Sequence, residues 1–114
     1  MSTLTDDELD RAFLALADPT RRAIIARLTR GEAGVLDVAA PFPISQPAVS
    51  KHLKVLEGAG LVTRRRDAQR RLCRLEPHRL EQLFEWVGGY RRFWEESLDR
   101  LDEYVAELQQ GGTP

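Results

Sequence analysis

The sequence predicts a mainly helical fold with one small β-hairpin. Two observations carry this prediction: apolar residues recur at helical spacing in several separate segments, and one Arg-rich stretch, residues 61–75, has the composition of two paired strands. The length of 114 residues fits a single domain. We expect this domain to span residues 1–108, with residues 109–114 as a flexible tail.

Two helices are predicted at the N-terminal end. Leu9, Phe13 and Leu16 recur at helical spacing, so residues 7–17 should form the first helix. Asp18-Pro19 then marks a helix start, because an Asp side chain can cap free backbone N–H groups and proline suits the first helical position. This second helix should run to about Thr29.

A short third helix and a longer fourth helix follow. The third should cover residues 35–40 and end at the Pro-rich turn 41–43. Ser45 should cap the fourth helix, which residues 58–60 should end. The fourth helix has apolar residues at i, i+4 and i+7, and these predict a buried stripe: Val49, Leu53 and Leu56.

The remaining chain predicts a hairpin and a long helical region. Residues 61–66 and 70–75 should be antiparallel strands joined by a turn at 67–69. Pro77 should open a helical region that lasts to about Leu108, and Gly88-Gly89 predicts a break within it. The apolar residues of this region form one seam: Leu80, Phe84, Val87, Tyr90, Trp94, Leu98, Leu101, Val105 and Leu108.

Charge is segregated along the chain. Residues 1–18 carry a net −4, residues 19–80 a net +8 and residues 81–114 a net −5. A basic middle indicates a surface for a polyanion, and a solvated charged surface without a partner is the alternative. The acidic start, the lack of an apolar run near 18 residues and a single cysteine, Cys73, favour a cytoplasmic protein without a membrane span.

The order helix, turn, helix, hairpin is the winged helix-turn-helix pattern, in which the second helix enters the major groove of DNA. The residues that we predict at base edges are Gln46, Pro47, Ser50 and Lys51. The residues that we predict to hold phosphate are Lys54, Arg64, Arg66, Arg70 and Arg71. The alternatives are an ordinary amphipathic helix and a charged strand edge that deters aggregation. His52 fits either a DNA contact or a structural role, and Arg21 and Arg22 fit phosphate contacts or plain solvation.

Segment 15–24, ALADPTRRAI, resembles the opening signature of the ArsR/SmtB family of arsenic-responsive repressors, and segment 44–56, ISQPAVSKHLKVL, resembles the family's recognition helix. The AGLV at 59–62 and the Arg-rich hairpin follow at the family's spacing. Segment 90–96, YRRFWEE, is similar to a branch without obvious metal ligands. The resemblance covers about residues 10–108. It implies a winged-helix homodimer that represses transcription, often at its own promoter, with the first and last helices as the dimer interface.

The apolar seam supports a dimer independently, since a chain this short would leave much of the seam wet unless a partner covered it. The alternative is that the seam packs within the monomer. Two-fold operators also favour two-fold proteins. The predicted interface residues are Phe13, Leu16, Tyr90, Trp94, Leu98, Leu101 and Val105.

We predict no cofactor, metal site or catalytic set. Residues 35–40 lack the cysteines that one kind of metal-sensing relative uses there, and His78 with Glu81 supplies too few ligands. Cys73 fits either a redox sensor, whose thiolate the neighbouring arginines would favour, or a small buried residue. Trp86, Phe93 and Trp94 fit core packing or a pocket for an unknown small-molecule effector.

The sequence therefore predicts a sequence-specific DNA-binding transcriptional regulator, a repressor that acts as a homodimer on a two-fold operator. Its partners would be double-stranded operator DNA and a second copy of the chain. The alternatives are a winged-helix module that binds an acidic protein and a repressor that responds to oxidation of Cys73. An enzyme is the weakest reading, because no residue set supports one.

Overall fold

A computed structural model describes residues 4–111. These residues form five helices and three short strands, which confirms the mainly helical fold with a small β-hairpin. In chain order the elements are α1 (Asp6–Leu16), α2 (Pro19–Leu28), β1 (Ala33–Gly34), α3 (Val35–Ala39), α4 (Gln46–Gly58), β2 (Val62–Asp67), β3 (Arg70–Leu75) and α5 (Pro77–Gly111).

Side-chain caps fix where the first, second and fourth helices begin. Thr5 and Glu8 form a capping box, in which each side chain accepts the other residue's backbone N–H at 3.1 Å. Asp18 accepts the Arg21 N–H at 3.0 Å, and Ser45 accepts the Ala48 N–H at 3.3 Å. The caps predicted at Asp18 and Ser45 are therefore confirmed.

The sheet contains one strand that the sequence did not predict. Its order is β1-β3-β2, with both pairings antiparallel. The added strand, β1, has two residues, Ala33 and Gly34, which pair with Cys73 and Leu72. Since a two-residue strand has no periodicity of its own, it exists only through its partner strand. The β2–β3 hairpin turns at Ala68 and Gln69, and Ala68 has a left-handed φ of 55°.

The core joins α1, α2, α4, the sheet and the start of α5. The predicted stripe of α4 is fully buried: Val49, Leu53 and Leu56 are each 0% exposed. Ile24 and Leu61 pack into the same cluster, and Leu83 is the last buried residue of α5. The helix-turn-helix and its hairpin therefore stand on one shared core.

The predicted break at Gly88-Gly89 is wrong, because α5 runs unbroken from Pro77 to Gly111. Each glycine costs a helix about 1 kcal/mol relative to alanine, which the good helix formers on both sides offset. The helix also continues through Gln109 and Gln110, which the sequence assigned to the tail, since glutamine is itself a good helix former. Residues 112–114 of that predicted tail lie outside the described residues.

The long α5 extends the molecule well beyond its core. The radius of gyration is 20.4 Å and the longest dimension is 77 Å. A compact domain of this length would have a radius of gyration of about 13 Å. Beyond Gly88, no side chain that the structure describes in α5 is buried. The C-terminal part of the helix therefore has no core of its own within one chain.

Candidate nucleic-acid interface

The face of α4 opposite its buried stripe carries the residues predicted to contact bases. Gln46 and Pro47 form the exposed first turn, and Lys51 and Lys54 are exposed further along. Ser50 is half-buried beside them. The structure thus brings these polar side chains together on one outward surface of a helix whose other surface is fixed in the core.

The hairpin places its arginines beside this surface. In β2 and β3, Arg64 pairs with Cys73 and Arg66 pairs with Arg71, so Arg64, Arg66 and Arg71 share one face of the ladder. Arg70 lies next to the turn, opposite Asp67. Arg66, Arg70 and Arg71 are exposed, and none forms an ion pair within 4.0 Å with any side chain that the structure describes.

Two ion pairs attach the base of the hairpin to the rest of the fold. Arg64 donates to both carboxylate oxygens of Glu57 in α4, at 3.3 and 3.2 Å. Arg65 donates to both oxygens of Glu32, at 2.9 and 2.7 Å, and these bonds lower the pKa of the Glu32 carboxyl. Bidentate pairs of this kind fix orientation as well as distance.

These acidic partners are functional residues that the sequence did not reveal. Arg64 was predicted as a free phosphate contact, but it is half-buried and already holds Glu57. Glu32 and Arg65 are 33 residues apart, so no local pattern links them. The only sequence signal for either ion pair was the short spacing between Glu57 and Arg64, across the predicted end of α4.

Arg21 and Arg22 have roles that neither sequence interpretation anticipated. Arg21 donates to the backbone oxygens of Ala15 at 2.6 Å and Leu14 at 3.0 Å, and Arg22 donates to that of Leu16 at 2.7 Å. Both side chains thus cap the C-terminal end of α1, where carbonyl groups lack helical partners.

His52 joins α4 to this same corner. Its Nδ1 lies 3.4 Å from the Arg21 guanidinium and 3.9 Å from the Asp18 carboxylate. The Arg21 N–H bond to Asp18 is the main reason that the pKa of this carboxyl lies below its ordinary value. The structural role considered for His52 is therefore the one that the geometry favours.

Cys73 is a buried residue of β3 with no exposed surface. Burial raises the pKa of its thiol and outweighs the opposite effect of Arg64. The thiolate that a redox sensor at Cys73 would need is therefore disfavoured, because desolvation opposes the charged form more strongly than Arg64 favours it. The structure supports the interpretation of Cys73 as a small buried residue and argues against a redox sensor at this position.

Large apolar side chains cover the outer surface of α1 and α5. Phe13 is 41% exposed and packs edge-on against Trp86, with ring centroids 5.4 Å apart. Trp86 in turn contacts Tyr90 at 5.0 Å, and with Phe93 these two line a shallow apolar depression. Of the predicted interface, Leu16 is half-buried against the core, and the side chain of Trp94 lies outside the described residues. The others are exposed: Phe13, Tyr90, Leu98, Leu101 and Val105.

Residues 4–111 hold no group of three or more His, Cys, Asp or Glu side chains placed to bind a metal ion. No helix within those residues has both the length and the apolar character needed to cross a membrane.

Comparison with known proteins identifies the same motif. The helix-turn-helix domain family HTH_20 matches residues 16–65. The HTH-type transcriptional regulator Rv2034 of Mycobacterium tuberculosis is 47% identical over 89 residues, which are 78% of this chain and 80% of that protein. The transcriptional repressor SdpR of Bacillus subtilis is 33% identical over 82 residues, which are 72% of this chain and 91% of that protein.

A solved structure has the same architecture. It is the homodimeric winged helix-turn-helix DNA-binding domain of Mb0332 from Mycobacterium bovis, described as a possible ArsR-family transcriptional regulator. It is 27% identical to this chain, covers 85% of it and 95% of its own length, and superposes with a TM-score of 0.63.

Proposed function

Because the chain belongs to the ArsR/SmtB family of helix-turn-helix transcriptional regulators, we propose that it represses transcription by binding a two-fold operator as a homodimer. The observation that carries this proposal is the outward face of α4, where Gln46, Pro47 and Lys51 are exposed while the opposite stripe is fully buried. A helix held this rigidly can present base-reading side chains to the major groove without first being ordered.

Different residues of α4 contact bases and backbone phosphates. The Gln46 amide at the first turn can pair with both edge groups of an adenine, and the Ser50 hydroxyl can bond to several bases. Lys51 lies one turn further, at the groove edge. Lys54 is exposed on the same face and contacts a backbone phosphate, which sets the register but not the sequence.

The hairpin acts as the wing. Arg66, Arg70 and Arg71 supply guanidinium groups without ion-pair partners among the described side chains, and these suit phosphate oxygens. Arg64 remains a predicted phosphate contact, and its bond to Glu57 also orients the wing against α4. The pair of Arg64 and Glu57 therefore fixes the direction in which the wing approaches the DNA backbone.

A second copy of the chain completes the molecule. It would cover the apolar surface of α1 and α5 by an isologous contact and bring a second α4 into play. Two recognition helices related by a two-fold axis read half-sites about 34–36 Å apart, one helical turn of DNA. A dimer bound in this way at a promoter would exclude the transcription machinery, and the chain's own promoter is the first candidate.

The test is a gel shift with the purified protein and the DNA upstream of its own coding sequence, at two salt concentrations and against a scrambled competitor. We expect a specific shift that weakens steeply as salt rises, since phosphate contacts release counterions. A folded dimer that shifts no duplex DNA would contradict the proposal and favour a protein partner for the basic face.

Variants separate the two kinds of contact. Gln46→Ala should lower the preference for operator over random DNA by roughly 5- to 100-fold, the value of one bidentate base contact. Arg66→Ala should weaken binding to both DNAs alike and reduce the salt slope by about one. Arg100→Ala, an exposed arginine in the distal part of α5 and outside both α4 and the hairpin, serves as the matched control. Equal losses on both DNAs for Gln46→Ala would contradict its assignment.

A further inference from the structure

A polar cleft lies between the first two turns of α4, the start of α3 and the hairpin. Its volume is about 510 Å³, within the range of about 300–1,000 Å³ that is usual for small-molecule sites. The side chains that matter for its chemistry are Gln46 and Ser50 of α4, Asp37 of α3, and Arg64, Arg70 and Arg71 of the hairpin.

The cleft carries more positive charge than its own acids neutralise. Of its three arginines, only Arg64 forms an ion pair within 4.0 Å among the side chains that the structure describes, and that partner is Glu57. Arg70 and Arg71 therefore keep guanidinium donors for a ligand. The flat fork of donors on a guanidinium matches the oxygens of a phosphate group.

Asp37 makes the cleft different from a plain phosphate site. Its Oδ2 would lie 3.4 Å from a Cβ added to Gly34, and the Arg70 Nη2 would lie 3.6 Å from the same point. The two side chains thus both reach the backbone at Gly34, yet they do not pair within 4.0 Å. A carboxylate repels phosphate and accepts hydrogen bonds, so it suits a hydroxyl on the same ligand.

We propose that this cleft binds a small phosphate ester that carries hydroxyl groups, of the sugar-phosphate class. Arg70 and Arg71 hold the phosphate, and Asp37 accepts from a hydroxyl, with the Gln46 amide and the Ser50 hydroxyl completing the polar wall. Gln46, Ser50, Arg70 and Arg71 also face DNA in the proposed function, and on that basis the ligand and the operator exclude each other. A phosphate of the DNA backbone is the other source of the same chemistry.

The first experiment measures binding to the full chain without DNA, by calorimetry, with ribose 5-phosphate, ribose and inorganic phosphate as probes. We expect ribose 5-phosphate to bind, and the pair Arg70→Ala with Arg71→Ala to weaken it at least tenfold. Arg74→Ala removes an equal charge from the same hairpin but not from the cleft, because Arg74 bonds to Thr63 at the other end of the strands, so it should change affinity less than twofold. All three arginines are exposed, so these variants should keep the fold.

Asp37→Ala distinguishes a sugar phosphate from a bare anion. It should weaken ribose 5-phosphate binding severalfold and leave inorganic phosphate unchanged or bound more tightly, because the repulsion is gone. An equal effect on both probes would overturn the assignment of Asp37. The absence of ribose 5-phosphate binding up to roughly 10 mM, or an equal loss in Arg74→Ala, would overturn the site.

A second arm titrates ribose 5-phosphate into the protein–operator complex and follows fluorescence anisotropy. Release of DNA by the wild type, reduced severalfold in potency by Asp37→Ala, is the expected result. If DNA binding depends on Arg70 and Arg71 while ribose 5-phosphate does not bind, the cleft serves the DNA backbone alone and the proposal fails. If ribose 5-phosphate binds but no DNA does, the proposed repressor function fails while the site stands.

Discussion

Truncation of two leucines on α5 should convert the proposed homodimer into monomers. Leu98 is 55% exposed and Leu101 is 54% exposed in the single chain, so about half of each side chain remains for a partner to cover. Full burial of a leucine is worth about 1.5–3 kcal/mol, which leaves about 1 kcal/mol for each. An isologous interface repeats each change twice, so Leu98→Ala with Leu101→Ala should cost about 4 kcal/mol per dimer.

That cost corresponds to a rise of about 1,000-fold in the dimer dissociation constant. Sedimentation equilibrium over a range of protein concentrations measures it directly. Glu103→Ala is the matched control, because Glu103 lies on the opposite side of the same helix and leucine, glutamate and alanine are all good helix formers. Circular dichroism of each variant checks that α5 remains helical.

Two results would refute this reasoning. One is a double variant whose dissociation constant stays within about threefold of the wild type, a change of only about 0.65 kcal/mol. That result would mean that the exposed leucines of α5 face water in the dimer as well. The other is an equal loss in Glu103→Ala, which would make the effect a property of the helix and not of its apolar surface.

Three further predictions concern the single chain. Ala68→Gly should stabilise the fold by about 0.5–1 kcal/mol in urea unfolding, because glycine adopts the left-handed φ of the hairpin turn without strain; a destabilised variant would contradict the turn geometry. Asp18→Asn keeps the cap but removes the charge. Since the folded-state pKa of Asp18 is lowered, its charge stabilises the fold above the ordinary pKa and ceases to do so as pH falls through the lowered one. The wild type's advantage in unfolding free energy over this variant should therefore shrink between about pH 7 and about pH 3. An advantage that does not change with pH would contradict a stabilising charge at Asp18. Native Cys73 should react with a disulfide reagent at least about 100-fold more slowly than the urea-unfolded chain; equal rates would show that the thiol is accessible.

The predictions that held rest on local chemistry. Asp18-Pro19 and Ser45 mark helix starts because their side chains bond to N–H groups three residues on. The buried stripe of α4 follows from helical spacing alone. Interactions of this kind join residues within about one helical turn, so the sequence alone is enough to predict them.

Several features that the sequence did not reveal depend on contacts between distant segments. β1 is a strand only because β3 lies beside it. The pairing of Arg65 with Glu32 arises when separate elements meet. The cleft beside Asp37 could not be predicted for the same reason, since α3, α4 and the hairpin each contribute one wall.

The unbroken course of α5 has a consequence for how its backbone amides exchange with solvent. Leu83 anchors the first turns in the core, while no described side chain beyond Gly88 is buried. A helical segment without tertiary support is only marginally stable in water and opens readily. In dilute solution, amide protons should therefore exchange progressively faster from the core end of α5 towards Gly111. Protection of the distal turns that rises with protein concentration would come from the second copy of the chain in the proposed homodimer.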